Sequence, residues 1–157
     1  MSRRSGFLDY VEEQLRACPS QREMLEQVVE FSKDLPLFPE ERKTPQNKVR
    51  GCLSLVYVDI RMDKQGKLTL NGYSDSFIIS GFLAILKRAI DGLTRAEFEE
   101  EQEHLRAFLE NTGMAMSQLQ SRADTFGNII QKIREQAGEE EKGDRRVHGN
   151  IRRHHIS

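Results

Sequence analysis

The sequence predicts an α+β fold: a single domain with a small antiparallel sheet of about three strands, packed by several helices. Three observations carry that expectation. Apolar residues recur at helical spacing over both flanks, as in Phe7, Leu8, Val11 and Leu15 and again in Phe126, Ile129, Ile130 and Ile133. Between the flanks, Leu53 to Met62 and Lys67 to Tyr73 read as β-rich strands on either side of the turn Asp63-Lys64-Gln65-Gly66. Finally, 157 residues is the length of one domain with a working core.

The elements follow in order. Residues 7–17 form a short amphipathic helix, which Pro19 and Ser20 end. Ser20 with Glu23 makes a capping-box pair for a second helix carrying Met24, Leu25, Val28, Val29 and Phe31 and ending near Leu35. Residues 36–48 hold Pro36, Pro39 and Pro45 among charges, which makes a long loop of the kind that often carries function. Val49 suggests some extended structure before the cysteine as well. After the hairpin, Asp75 or Ser74 is expected to cap a helix that is apolar around much of its girth, through Phe77, Ile78, Phe82, Leu83, Ile85, Leu86 and Ile90. Such a helix belongs at the centre of the domain. Gly92 ends it, and Thr94 with Glu97 starts an acidic helical stretch over 95–110 that Gly113 breaks. Ser121 opens a last helix that ends near Ala137. Residues 139–157 have no apolar periodicity, so 1–138 is expected to be the folded domain and 139–157 a disordered, charged tail.

Composition excludes several classes. A net charge of −1 lacks the basic excess that phosphate neutralisation requires, so no nucleic-acid partner is expected. No apolar run is long enough to cross a bilayer, and no membrane partner is expected. Arg3 and Arg4 are followed at once by Asp9, Glu12 and Glu13 with no apolar stretch between, which does not read as a signal or transit peptide. The expected location is cytoplasmic. Two cysteines, Cys18 and Cys52, make neither a disulfide framework nor a cluster-building ligand set, and no metal or cofactor is expected. The glutamates between 97 and 103 read as a solvated helix face rather than catalytic carboxylates, and His104 among them as a surface residue.

Chemistry concentrates at Cys52. It stands in Val49-Arg50-Gly51-Cys52-Leu53-Ser54, where the proline-bearing loop runs into the strand, and a thiol on a loop held by a rigid element can be presented to a partner. A small buried hydrophobe is the plain alternative. Lys48 and Arg50 are neighbours that could lower its pKa. Cys18, at a helix end before Pro19, reads as a packing residue.

Three stretches carry a resemblance: Leu35-Pro36; Thr44-Pro45-Gln46-Asn47-Lys48-Val49-Arg50-Gly51-Cys52-Leu53-Ser54; and Gly72-Tyr73-Ser74-Asp75-Ser76 with Gly81. The chain resembles SufE and its relative CsdE, sulfur acceptors for cysteine desulfurases in iron–sulfur cluster assembly, whose pattern is close to Pro-x-Asn-x-Val-x-Gly-Cys-x-Ser with Gly-x-Ser-Asp-Ala some way on. The match is weaker to Ser121-Arg122 and beyond. This sequence departs from the family pattern at Leu53, Leu55, Tyr57 and Ser80, and in a Pro-Ser-Arg-x-Asn-Gly run reduced to Ser121-Arg122 with Asp124.

The resemblance implies the SufE/IscU-like α+β fold and a transient persulfide on Cys52, taken from a SufS-like desulfurase that it stimulates. It also implies delivery to a SufBCD-like assembly complex, with homodimerisation left open. Pyridoxal phosphate would belong to the desulfurase. Asn47, Gly51, Ser54, Asp75 and Arg122 are then expected to shape the cysteine loop or meet the partner. For Asp75 a helix N-cap is the alternative, and for Arg122 a solvated helix-start residue. Family members shelter the thiol in an apolar pocket and swing the loop outward, for which Gly51 supplies a hinge. Two rivals stand beside this reading. One is an interaction module that regulates a desulfurase or another enzyme. The other is a thiol enzyme using Cys52, which would need a resolving cysteine or an activating histidine.

Overall fold

Helix starts follow the capping residues the sequence offers. In the computed structural model, which describes the backbone of residues 3–114 and 124–149 and the side chains of 6–114 and 124–139, the first helix α1 spans Arg3–Arg16. Ser20 accepts from the Glu23 amide and opens α2, Gln21–Phe31. Three short 3₁₀ turns follow, Ser32–Asp34, Glu40–Arg42 and Pro45–Asn47, and carry the proline-bearing loop. The hairpin pairs β1, Val56–Met62, with β2, Leu68–Ser74, in the register Val58↔Gly72. Its turn is closed by Asp63, whose carboxylate accepts from the amides of Gln65 and Lys67 while Gly66 takes φ +80°. Beyond it lie α3, Phe77–Ile90, α4, Arg95–Glu100, α5, Gln102–Thr112, and α6, Thr125–Gly149. Thr94 and Glu97 form the expected capping box at α4. The acidic stretch is divided at Glu101 into α4 and α5.

The observed fold is α+β, but the sheet has two strands rather than about three. Each edge is finished by groups that are not strands. On the free edge of β1, the Val49 amide bonds Val56 O at 2.9 Å, and the Gln136 side chain accepts from Ile60 N at 2.9 Å and donates to Val58 O at 3.0 Å. On the free edge of β2, Leu68 N bonds Leu93 O, Asp91 accepts from Leu70 N, and Lys87 donates to Leu70 O. With both edges covered, a further strand has few partners left to pair with. The extended structure expected around Val49 amounts to an isolated bridge between Lys48 and Tyr57, because the 3₁₀ turn over Pro45–Asn47 precedes it and Gly51 turns the chain after it.

Alternation places Val56, Val58, Ile60, Leu68 and Leu70 on the inner face, all buried. The central helix predicted from its apolar girth is α3, packed between β2 and α2, with Phe82, Leu83, Ile85, Leu86 and Ile90 buried. Phe82 meets Phe126 edge-on at a centroid distance of 4.5 Å and ties the start of α6 to α3. The outer face of the hairpin is covered by the proline-bearing loop: Phe38 stacks on Tyr57, Lys43 lies over the Tyr73 ring, and Arg42 pairs with buried Asp59 at 3.0 Å.

Two more expectations need correction. The α3 cap is Ser76, whose hydroxyl accepts from the Ile79 amide, and neither Asp75 nor Ser74. The apolar stripe of the last helix ends at buried Ala137, yet the backbone stays helical to Gly149, since Glu, Lys and Arg favour helix without an apolar face. Its described start is Thr125, and Ser121 lies outside the described residues. Among the described residues, no helix is long and apolar enough to cross a membrane.

Candidate functional site

Cys52 sits in the loop between Lys48 and Val56, and every end of that loop is tied down. Its start is fixed by Val49 N to Val56 O. Its end is fixed by Asp75, whose carboxylate accepts from Leu55 N at 3.1 Å while its own amide donates to Leu55 O at 3.3 Å. Its middle is held by Asn128 of α6, which donates to Gly51 O at 3.3 Å. Asp75 is thus free of the capping role because it closes the thiol loop. Asn47 anchors the approach: it donates to Arg42 O at 2.8 Å and accepts from Gln136 at 3.1 Å. Ser54 is half-buried, and its hydroxyl makes none of these bonds. Arg122 lies outside the described residues.

Gly51 has φ +80°, where a side chain is strained, and a Cβ there would stand 2.9 Å from Asn128 Nδ2. The glycine therefore permits the turn and the close approach of α6 together. Gly51→Val should lose about 1 kcal/mol or somewhat more of stability, seen as a modest drop in Tm. If the loop must hinge to deliver the thiol in the sulfur transfer that the resemblance implies, transfer should fall by more than that loss explains. Transfer equal to wild type would remove the hinge from the account.

The thiol is half-buried and packs against the core, while Leu53 beside it is 72% exposed. Burial pushes the Cys52 pKa up, and a hydrogen bond with the Thr125 side chain pulls it part of the way back. Lys48 and Arg50 do not contribute to the shift. They line, with Lys43, Pro45, Val49 and Tyr57, a groove of about 630 Å³ that Gly51 and Cys52 complete. That groove has a cationic rim and no histidine. His104 is engaged elsewhere, with Nε2 2.8 Å from the Asp9 carboxylate on α1. Cys18 lies at the end of α1 with its Sγ 3.6 Å from Gln14 O. Both cysteines are free. Among the described residues, no group of three or more His, Cys, Asp or Glu side chains is placed to hold a metal.

Sequence reasoning missed three site residues, Thr125, Asn128 and Gln136, all on α6. Only Gln136 left a signal, as a polar residue on the stripe of Ile129, Ile133 and Ala137; it is buried and bridges β1 to Asn47.

The chain is thus an α+β domain that carries a half-buried thiol on a glycine-turned loop pinned at both ends and by α6. The SufE model, described as an Fe–S metabolism associated domain, matches residues 9–137, and the chain belongs to that family. An uncharacterized SufE-like protein of Synechocystis is 36% identical over 112 residues, which cover 71% of this chain and 68% of that one. The solution structure of a hypothetical protein from Thermus thermophilus superposes with a TM-score of 0.68, covering 87% of this chain and 96% of that one. At 14% identity, it shares the fold. Family membership places the chain in iron–sulfur metabolism.

Proposed function

We propose that Cys52 accepts sulfur from a SufS-like cysteine desulfurase and hands it to a SufBCD-like assembly complex in the cytoplasm. The observation that carries the reading is the sheltered thiol on a loop tied by Val49, Asp75 and Asn128, in a chain of the SufE family. In the transfer, the Cys52 thiolate attacks the terminal sulfur of the desulfurase persulfide. The bond between that sulfur and the desulfurase cysteine breaks, the desulfurase thiolate leaves, and Cys52 carries the persulfide with the proton of the transferred sulfur. No oxidant is consumed, and the chain needs no cofactor of its own. Removing the product sulfur frees the desulfurase for another turnover, which stimulates it.

Burial that raises the Cys52 pKa keeps the resting thiol largely protonated and protects it from oxidation. Swinging outward removes that burial where the partner waits. Asn47, Gly51 and Asp75 shape the loop through the bonds described above; Ser54 and Arg122 are assigned to partner contact. Incubation with a SufS-like desulfurase and free cysteine should add the mass of a single sulfur to the intact protein. A chain that stimulates the desulfurase without gaining sulfur would instead be a regulatory module.

The folded unit in this reading ends near residue 138, where the buried stripe of α6 ends. Residues 139–157 lack apolar periodicity, so ordering them is not offset by burial. Deleting 139–157 should leave sulfur loading intact and shift Tm by no more than about 2 °C, equivalent to roughly 0.5 kcal/mol. A large loss of either would place the boundary further on.

A further inference from the structure

Lys48 and Arg50 stand on either side of buried Val49, and the extended backbone there turns both of them outward on one face. The stretch is held in place by Val49 N bonded to Val56 O and by Asn128 donating to Gly51 O. Two residues of extended chain set the pair about 7 Å apart along the wall of the groove that Cys52 completes. Elsewhere the chain matches several basic side chains with acids three or four residues away: Arg22 with Glu26 at 3.3 Å, Lys33 with Glu30 at 2.8 Å and Lys87 with Asp91 at 3.0 Å. Within the groove Lys43 is matched in the same way, to Glu40 at 2.8 Å. Lys48 and Arg50 differ. Among the described residues neither side chain has an ion pair or a hydrogen bond, and no Asp or Glu lines the groove. In a chain of net charge −1 this is a local positive field, and a cleft lined by one sign of charge concentrates the opposite sign. Tyr57, stacked on Phe38, adds an aromatic surface to the same groove.

We propose that the groove is the docking site for an extended acidic segment of a partner protein, its carboxylates on alternate residues paired with Lys48 and Arg50 and its chain lying along Tyr57 beside the thiol. Naming that partner as the sulfur donor rests on the sulfur-transfer reading; the site itself rests on the groove. Alternate side chains of an extended segment share a face at the same spacing of about 7 Å, so both pairs form without distorting it. Exposed ion pairs are individually weak, so the docking governs encounter rate and register more than affinity.

The test uses the isolated protein in a Cys18→Ser background, so that only Cys52 reacts. Dithionitrobenzoate, a dianionic disulfide, and dithiodipyridine, a neutral one, are compared at a single pH, where the ratio of their rates cancels the thiolate fraction. That ratio should favour the dianion several-fold more in the parent than in the double variant Lys48→Gln with Arg50→Gln. Salt at 1 M, where the screening length is about 3 Å, should remove the difference. At low salt, a short peptide of alternating Glu and Ser should slow the dithiodipyridine reaction about twofold or more in the parent and leave the double variant unaffected. Its counterpart of alternating Gln and Ser should slow neither. Equal rate ratios in parent and double variant would overturn the proposal. So would a favoured dianion without protection by the acidic peptide, because the groove would then take small anions only, and so would equal protection by the Gln peptide. With a SufS-like desulfurase, the double variant should need a several-fold higher concentration for half-maximal sulfur loading, and an unchanged half-maximum would remove the donor as the occupant. Failure of the parent to load sulfur would strike the transfer reading alone, since the reagent and peptide measurements need no desulfurase.

Discussion

Cys52→Ser should fold as the parent does and lose sulfur loading completely, together with stimulation of the desulfurase. Serine is nearly the same size, and position 52 is only half-buried, so Tm should move little, by the equivalent of about 1 kcal/mol or less. A hydroxyl cannot hold the sulfane sulfur, and its oxygen is not ionised at neutral pH. The loss is therefore one of chemistry and not of shape. Cys18→Ser is the matched control. Its sulfur rests on the carbonyl of Gln14 at the end of α1, away from the loop that Asp75 and Asn128 hold, so loading and stimulation should stay near those of the parent. Intact mass after exposure to desulfurase and cysteine reads loading, and alanine release reads stimulation. Sulfur found on Cys18, or a Cys52→Ser protein that still gains sulfur, would dismiss Cys52 as the acceptor.

The parts of this site that could be read beforehand are those written in neighbouring residues. Gly51-Cys52 before a β-branched run announces a turn into a strand, and Asp63 with Gly66 announces the hairpin that follows. Helix caps at Ser20 and Thr94 are equally local. Illegible were the contacts that cross the chain. Asn128 meets Gly51, and Gln136 meets Asn47, Val58 and Ile60, across separations of 77, 89, 78 and 76 residues, and no periodicity encodes them. The same contacts explain the missing third strand. Gln136 occupies the edge of β1 that a strand would need, and a single glutamine cannot advertise that in a hydrophobic pattern. Asp75 was ambiguous for a related reason. Its carboxylate suits a helix cap or a loop amide equally well, and Ser76 taking the cap decides which one remains.

Gly81→Ala should produce the largest loss of stability of any single-methyl change in the chain's described glycines. At Gly81, α3 crosses α2 so closely that a Cβ would stand 1.9 Å from the carbonyl oxygen of Val28 and 3.0 Å from its side chain. The obstructing atom is backbone and cannot rotate away, so the two helices must separate, and with them the buried contacts of Val28, Phe82 and Ile85. Overpacking of a well-filled core costs about 1–3 kcal/mol, and a backbone clash belongs at the upper end. At roughly 2–4 °C per kcal/mol for a domain of this size, Tm should drop on the order of 10 °C. Gly6→Ala is the comparison, because it lies in α1 with nothing within 4 Å of the added methyl. It should be neutral or raise stability by up to about 1 kcal/mol. Below its melting range Gly81→Ala should still load sulfur, since the bonds that hold the thiol loop come from Val49, Asp75 and α6 rather than from α2. Stability and transfer would then separate in opposite directions between Gly81→Ala and Cys52→Ser. A Gly81→Ala protein as stable as the parent would mean that α2 and α3 can part at little cost, and that their contact does not set the spacing of the domain.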